Sequence, residues 1–333
     1  MTIPGIPIPK LEELAILINA PVEEGPPDIV PGLLPRRGEL VIAGETNIGK
    51  STIALEMCAS LINNTPLWGE LKPTIQAKRI LYILGEHYNG VIQGLWKKLG
   101  WSMPDTNPIY LLGPAQLRYD KWVVTQGKIN QVAADKLTAW AEGSDLIIFD
   151  PLSAFITGID AENDNVQMRH VLDTMSLVAQ RVGAACLVLA HLGKPNIDRN
   201  GQEHTRKAYA IRGASAIEDA ATNIFYMGRA GGQSAAAQGA DSVYELRLRK
   251  YKGPAPESYR LLRDPSTNRH TLLGNRPFVE VQRLDTQAKV ARLQASCGMS
   301  LSEAARAIAA IQGVTERTIW RHLGNEDGLV EPH

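Results

Sequence analysis

The sequence predicts an α/β fold with a mainly parallel sheet and crossover helices, followed by a small all-α module. Three observations carry this. Short β-prone apolar runs alternate with longer helical stretches from residue 39 onward, the apolar runs flank the intervening helices as strands buried on both faces do, and the pattern turns wholly helical after Arg283. With 333 residues there is room for one sizeable α/β domain and an appended unit, at roughly 100 to 200 residues per domain. The chain is therefore divided into an N-terminal arm at 1–38, an α/β domain at 39–283 and a helical module at 284–333.

Residues 1–38 are rich in proline and hold one helical stretch at 11–20, whose Leu11, Leu14, Ala15, Leu17 and Ile18 share a face that must dock on something. Strands are expected at 40–43, 79–84, 146–149, 185–190, 223–227 and 243–251, with an antiparallel edge among the later ones. The polar stretch 193–209 has no hydrophobic period and is long for a loop, which marks function or disorder. Ser300 and Glu303 have capping-box spacing ahead of the apolar run 304–311, and Thr315 is placed to cap a further helix through Leu323.

Apolar residues at 44% and charged residues at 21% are ordinary globular usage, which argues against a disordered or membrane protein. Lys and Arg, 35 together, balance 35 Asp and Glu, so nucleic-acid contact has to come from local clusters. Cys58, Cys186 and Cys297 are dispersed without metal-ligand spacing, so neither a disulfide framework nor a zinc site is expected, and the reducing cytoplasm is the expected location. No apolar run reaches membrane-spanning length, and the opening MTIPGIPIPK lacks the organisation of a signal peptide.

The chemistry begins with GETNIGKS at 44–51, which matches G-x-x-x-x-G-K-[ST] between an apolar strand and a helix start. Its glycines allow a tight turn, so that the backbone from Gly44 through Glu45, Thr46, Asn47, Ile48, Gly49, Lys50 and Ser51 to Thr52 presents N–H groups to the phosphates of ATP. Lys50 supplies positive charge and the Ser51 hydroxyl a ligand for Mg²⁺, so ATP and Mg²⁺ are the expected cofactors. Asp150 ends the apolar run LIIFD, and Pro151 stops the strand at that carboxylate, which favours holding a hydrated metal over capping a turn. Glu86 follows the strand at 79–84 and either activates water or is a solvated loop acid. His191 closes the strand at 185–190 and either contacts the γ-phosphate or is structural.

Read in order, PGLLPRRGELVIAGETNIGKS, ILYILGEH, LIIFDPLSAF, CLVLAHLGKP and IRGASAIEDAATNIFYMGR resemble the RecA-like P-loop ATPases of the RepA type, hexameric replicative helicases of plasmids. The resemblance covers roughly residues 11–256. The phosphate loop and carboxylates belong to the whole superfamily, whereas HLGKP, the polar loop and the RGASA segment point to this branch. It implies a RecA-like core, a homo-hexamer, Lys50 and Ser51 on phosphate and Mg²⁺, Glu86 as catalytic base, Asp150 on the metal and His191 as sensor. It also implies that the loop 193–211 faces DNA in a ring channel, with Lys194, Arg199, Arg206, Lys207 and the adjacent Arg212 as the contacting cations. Two departures stand out: Thr46, Asn47 and Ile48 occupy positions where relatives often carry glycines, and the C-terminal helical unit is an addition.

RLRKYKGP at 247–254 places Arg247 and Arg249 on one strand face. From the residues alone this is an edge strand protected by charge; the resemblance implies instead that Lys250 or Lys252 reaches a neighbouring subunit's γ-phosphate. Residues 301–323 read as two helices joined at Gly313, Val314 and Thr315, a helix-turn-helix spacing with Ala309 four residues before the glycine. Arg317 and Arg321 share a face of the second helix and suit duplex DNA, Ile319 turns to the core, and Gln312 stands where an apolar residue is usual. The alternative is a small bundle for subunit contact. The expected function is an ATP-driven, ring-forming DNA helicase or translocase in plasmid, phage or mobile-element replication. Its rivals are a DNA-binding regulator that uses ATP as an assembly switch, and a signalling or repair ATPase.

Overall fold

The computed structural model describes residues 27–86, 89–101, 108–114, 124–125, 128–157, 165–192, 196–197, 203–204, 214–229, 243–250, 257–264, 266–274, 278–312 and 315–324. β1 (Glu39–Gly44) leads through a loop into α1 (Lys50–Asn63), and β2 (Ile80–Leu84) precedes α2 (Asn89–Lys98) and β3 (Ile109–Leu112). Next come β4 (Val124–Thr125), β5 (Lys128–Ile129), α3 (Gln131–Ala141), β6 (Leu146–Asp150), β7 (Ile156–Thr157) and α4 (Asn165–Val182). β8 (Ala185–His191), β9 (Asn196–Ile197) and β10 (Glu203–His204) lead to α5 (Ala214–Ala220) and β11 (Asn223–Arg229). After these follow β12 (Val243–Lys250), β13 (Ser258–Arg263), β14 (His270–Leu272), α6 (Phe278–Cys297), α7 (Leu301–Gln312) and α8 (Glu316–His322).

Among the described residues one nine-stranded sheet runs β14-β13-β12-β11-β1-β8-β6-β2-β3. Pairing is parallel from β3 through β11. The expected antiparallel edge is formed by β12, β13 and β14. Side chains alternate between faces with period two. Leu40, Ile42, Tyr82, Leu187 and Leu189 pack with Ile53 and Leu55 of α1 and Trp96 of α2. Val41, Ala43, Ile83, Phe149, Cys186 and Val188 pack with Leu137 of α3 and Val171 of α4. Ile29, Val30, Leu33 and Leu34, ahead of β1, are buried in the first of these clusters. Asn223 and Tyr259 fix that segment by donating to the carbonyls of Leu33 (3.1 Å) and Gly32 (2.9 Å).

The helical stretch expected at 11–20 lies outside the described residues. Within 193–209, read as lacking any element, β9 and β10 pair antiparallel, Ile197 opposite Glu203; strands of two residues are too short to leave a period. No helix among the described residues is long and apolar enough to cross a membrane.

The C-terminal helices have a small core of their own, formed by Val290, Ala304, Ala305, Ile308, Ala309 and Ile319. α6 begins at Phe278, ahead of the change of pattern at Arg283. The capping box forms: Ser300 Oγ donates to Glu303 Oε2 (2.8 Å) and the Glu303 N–H to Ser300 Oγ (3.3 Å). Ile311, included in the apolar run, is 62% exposed because the helix turns it away from this core. Thr315 holds the N-cap position of α8 without a side-chain bond to the helix backbone; its hydroxyl meets that of Thr318 at 3.0 Å.

One buried carboxylate ties α1 to the far edge of the sheet. Glu56 Oε1 accepts the backbone N–H of His270 (2.6 Å), while Oε2 accepts Trp68 Nε1 (2.9 Å) and lies 2.9 Å from His270 Nδ1. Glu56→Ala leaves these donors unanswered in a dry interior, at a cost of about 1–3 kcal/mol per unsatisfied group. Urea unfolding of this variant is therefore expected to show stability lower by about 2–5 kcal/mol with an unchanged m-value; parental stability would show that the carboxylate holds nothing.

Candidate nucleotide site

Register brings the site together. Gly44, the last residue of β1, lies opposite His191 of β8 and Met227 of β11. Asp150, the last residue of β6, lies opposite Leu84, the last of β2. The carboxyl ends of these strands thus open on one side of the sheet, where ligands bind in open α/β folds.

The loop after β1 turns on two residues in the left-handed region, Asn47 at φ 63° and Gly49 at φ 110°. Gly49 can do so because it has no Cβ. Asn47 is the type of non-glycine residue that tolerates this conformation, which explains how the loop forms without the extra glycines of its relatives. Ile48 turns inward to 6% exposure beside Gly44, where an added Cβ would meet the Met227 carbonyl oxygen at 2.8 Å. Gly49 is the N-cap of α1, whose first turn carries no acidic residue, so the unpaired N–H groups there favour an anion.

Lys50 is 5% exposed. Its ammonium donates to the carbonyls of Gly44 (2.9 Å) and Glu45 (2.8 Å) and lies 3.4 Å from His191 Nδ1. Burial lowers its pKa to about 8, against the opposing charges of Asp150, Glu45 and Glu86. The side chain read from the sequence as a mobile charge is here tied to its own loop. Ser51 Oγ donates to Asp150 Oδ2 at 2.8 Å, and the same oxygen accepts Tyr82 Oη at 2.8 Å. Burial, with the adjacent Asp150 charge, pushes the Tyr82 phenol well above its ordinary range. Thr52 is buried in the first turn of α1. Glu86, exposed beyond β2, accepts the Ser153 hydroxyl at 3.3 Å. Residues 44–52, Glu86, Asp150 and His191 are thus drawn to one strand-end crevice.

Other residues read from the sequence stand elsewhere. Lys250 is on β12, two strands from β1, and its ammonium donates to the carbonyls of Glu218 and Asp219 at the end of α5. Arg249 makes a bidentate pair with Glu218 (2.9 and 3.0 Å), and Arg247 bonds Glu245 (2.8 Å). Arg317 and Arg321 are exposed on α8, with Ile319 fully buried between them. Lys194, Arg199, Arg206, Lys207, Arg212 and Lys252 lie outside the described residues. Tyr82 was not read from the sequence, although a lone tyrosine in an aliphatic strand is a signal: a buried hydroxyl needs a partner.

The AAA domain family matches residues 10–196, more than half of the 333. The chain belongs to the AAA domain family. Its fold agrees with two solved structures, each 12% identical and covering 79% of this chain. One, a separately solved ATPase domain, matches over 99% of its length with a TM-score of 0.49. The other, a DnaB-like replicative helicase solved to show its interactions with primase, matches over 68% with a TM-score of 0.50. At that identity the likeness of the second establishes the fold, a RecA-like core. No curated protein matches in sequence. This AAA-domain chain is an ATPase, with its phosphate loop at 44–51.

In this AAA domain Lys50 carries a cost. Its folded pKa lies below the ordinary lysine value of 10.5, so folding disfavours the charged form. The penalty is full below about pH 8 and fades as pH rises toward 10.5. Lys50→Met is expected to unfold with about 1–3 kcal/mol more stability than the parent at pH 7, with the difference shrinking toward pH 10. Urea denaturation at the two pH values measures this; a Lys50→Met protein less stable at pH 7 would show that the carbonyl bonds outweigh desolvation.

Proposed function

We propose that this chain is an ATP-driven DNA helicase or translocase that works as a ring, in replication of a plasmid, phage or mobile element. The observation that carries this is the convergence of Lys50, Ser51, Asp150 and His191 at the carboxyl edge of a sheet whose fold a DnaB-like replicative helicase shares. In this reading the backbone from Gly44 to Thr52 and the Lys50 ammonium hold the β- and γ-phosphates. The oxygen donors Ser51 and Asp150 suit a hard cation. No group of three His, Cys, Asp or Glu side chains exists among the described residues, so water and phosphate oxygens would complete the shell of a Mg²⁺ held there. That ion supplies charge stabilisation to the displacement. Glu86 orients and deprotonates the attacking water.

His191 lies against Lys50 at the end of β8 and leads directly into the segment 193–211. That connection couples phosphate contact to the DNA contacts assigned to Lys194, Arg199, Arg206, Lys207 and Arg212. In a homo-hexamer Lys250 or Lys252 acts on the neighbour's nucleotide; for Lys250 this requires release from the carbonyls of α5. The exposed Arg317 and Arg321 form the duplex-facing side of a helix-turn-helix. The same pair favours a second reading, a duplex-binding regulator switched by ATP without unwinding.

Three measurements separate these readings: ATP hydrolysis without DNA, with single strands and with duplex. Stimulation by single strands together with unwinding of a forked duplex supports the helicase, duplex binding without unwinding supports the regulator, and indifference to DNA removes both. Glu86→Gln is expected to keep ATP binding and lose roughly two to four decades of turnover; parental turnover would exclude Glu86 as the base. Deleting residues 284–333 is expected to preserve basal hydrolysis while weakening duplex binding and flattening its salt dependence. Unchanged duplex affinity would make the module an assembly element.

A further inference from the structure

Asp150 Oδ2 accepts two hydroxyls at the same distance, 2.8 Å, and the two donors differ in kind. Ser51 stands at the start of α1 beside the phosphate loop. Tyr82 is in the middle of β2, fully buried, between Ile80 and Leu84 on the apolar face that packs against α1. It pairs in register with Ile148, two residues before Asp150, so Tyr82, Ile148 and Asp150 share a sheet face. The phenol is long enough to run along that face and meet the carboxylate from the core side.

An aliphatic residue at 82 would pack as Ile80 and Leu84 do. A buried hydroxyl costs stability unless it is hydrogen-bonded, and among the hydrogen bonds described that of Tyr82 is spent on Asp150. The carboxylate also lies in the field of the Lys50 ammonium, which bonds to loop carbonyls. A second, immobile donor keeps Asp150 from swinging toward that cation.

We propose that Tyr82 is a positioning residue for the metal: its hydroxyl pins Asp150 Oδ2 and leaves Oδ1 as the acceptor for metal-bound water. This rests on the reading of Ser51 and Asp150 as the Mg²⁺ site. Partners that orient a ligating carboxylate typically change metal affinity 10- to 100-fold.

Tyr82→Phe removes the hydroxyl and keeps the ring. Equilibrium binding of a fluorescent ATP analogue, titrated with Mg²⁺ and repeated in chelator, reads the effect apart from turnover. The expected result is unchanged nucleotide affinity in chelator and a half-saturating Mg²⁺ concentration raised about 10-fold. Asp150→Asn in parallel should abolish the Mg²⁺ enhancement. A Tyr82→Phe protein with a lower melting temperature but the parent's Mg²⁺ dependence would overturn the proposal, leaving the hydroxyl a packing element only. An Mg²⁺ dependence unaffected by Asp150→Asn would instead remove the metal reading itself, and the role of Tyr82 with it. Should Tyr82→Phe fail to fold, 3-fluorotyrosine placed at residue 82 alone gives the answer in an otherwise unaltered chain: its fluorine resonance should move with Mg²⁺ and ATP together and stay put with ATP alone. No movement in either case would overturn the assignment.

Discussion

The unbroken parallel ladder between β1 and β8, Glu39 opposite Cys186 through Gly44 opposite His191, governs the placement of everything that follows it. Both faces of these strands are apolar, so simple alternation of polar and apolar residues cannot select the register. Side-chain volume can. The face toward α1 carries Leu40, Ile42, Leu187 and Leu189, whereas the opposite face carries Val41, Ala43, Cys186, Val188 and Ala190. A slip of one residue would press the large set against the space packed for the small one, a change that tightly packed cores resist. The correct register in turn sets His191 beside Gly44, and with it the loop, Lys50 and the first turn of α1.

That placement is made at the expense of local comfort. A lysine is buried against carbonyls, a non-glycine residue takes a left-handed turn, and a carboxylate sits at 4% exposure with neutral donors. Each is unfavourable or merely balanced in isolation. They persist because the two apolar layers around them fix the backbone, and because each charged group has a hydrogen-bond partner within the crevice. Local strain at such positions is the usual mark of a site shaped for a ligand rather than for stability alone.

The parallel core is legible in the sequence because its strands are long, apolar and separated by helices of clear period, and the loop at 44–51 is legible because its backbone geometry demands glycine at fixed positions. Asp150 is legible through Pro151. What escapes are features fixed by distant partners. β13 and β14 alternate buried and partly exposed residues over short lengths, and a hairpin of two-residue strands leaves no pattern. Tyr82 and Glu56 read as an ordinary strand tyrosine and helix glutamate until chain folding brings Asp150, and Trp68 with His270, against them. Thr315 has the right residue type for a cap, yet its hydroxyl is engaged by Thr318, since type alone cannot choose between two local acceptors.

The bond between Glu56 and the His270 backbone also bears on how the sheet ends. β14 is a strand of three residues at an open edge, the place where one polypeptide can template another by strand addition. One of its amides is already occupied by a carboxylate from α1. An incoming strand would have to displace a buried negative charge to complete its ladder there, so the molecule carries its own stopper against edge-to-edge aggregation.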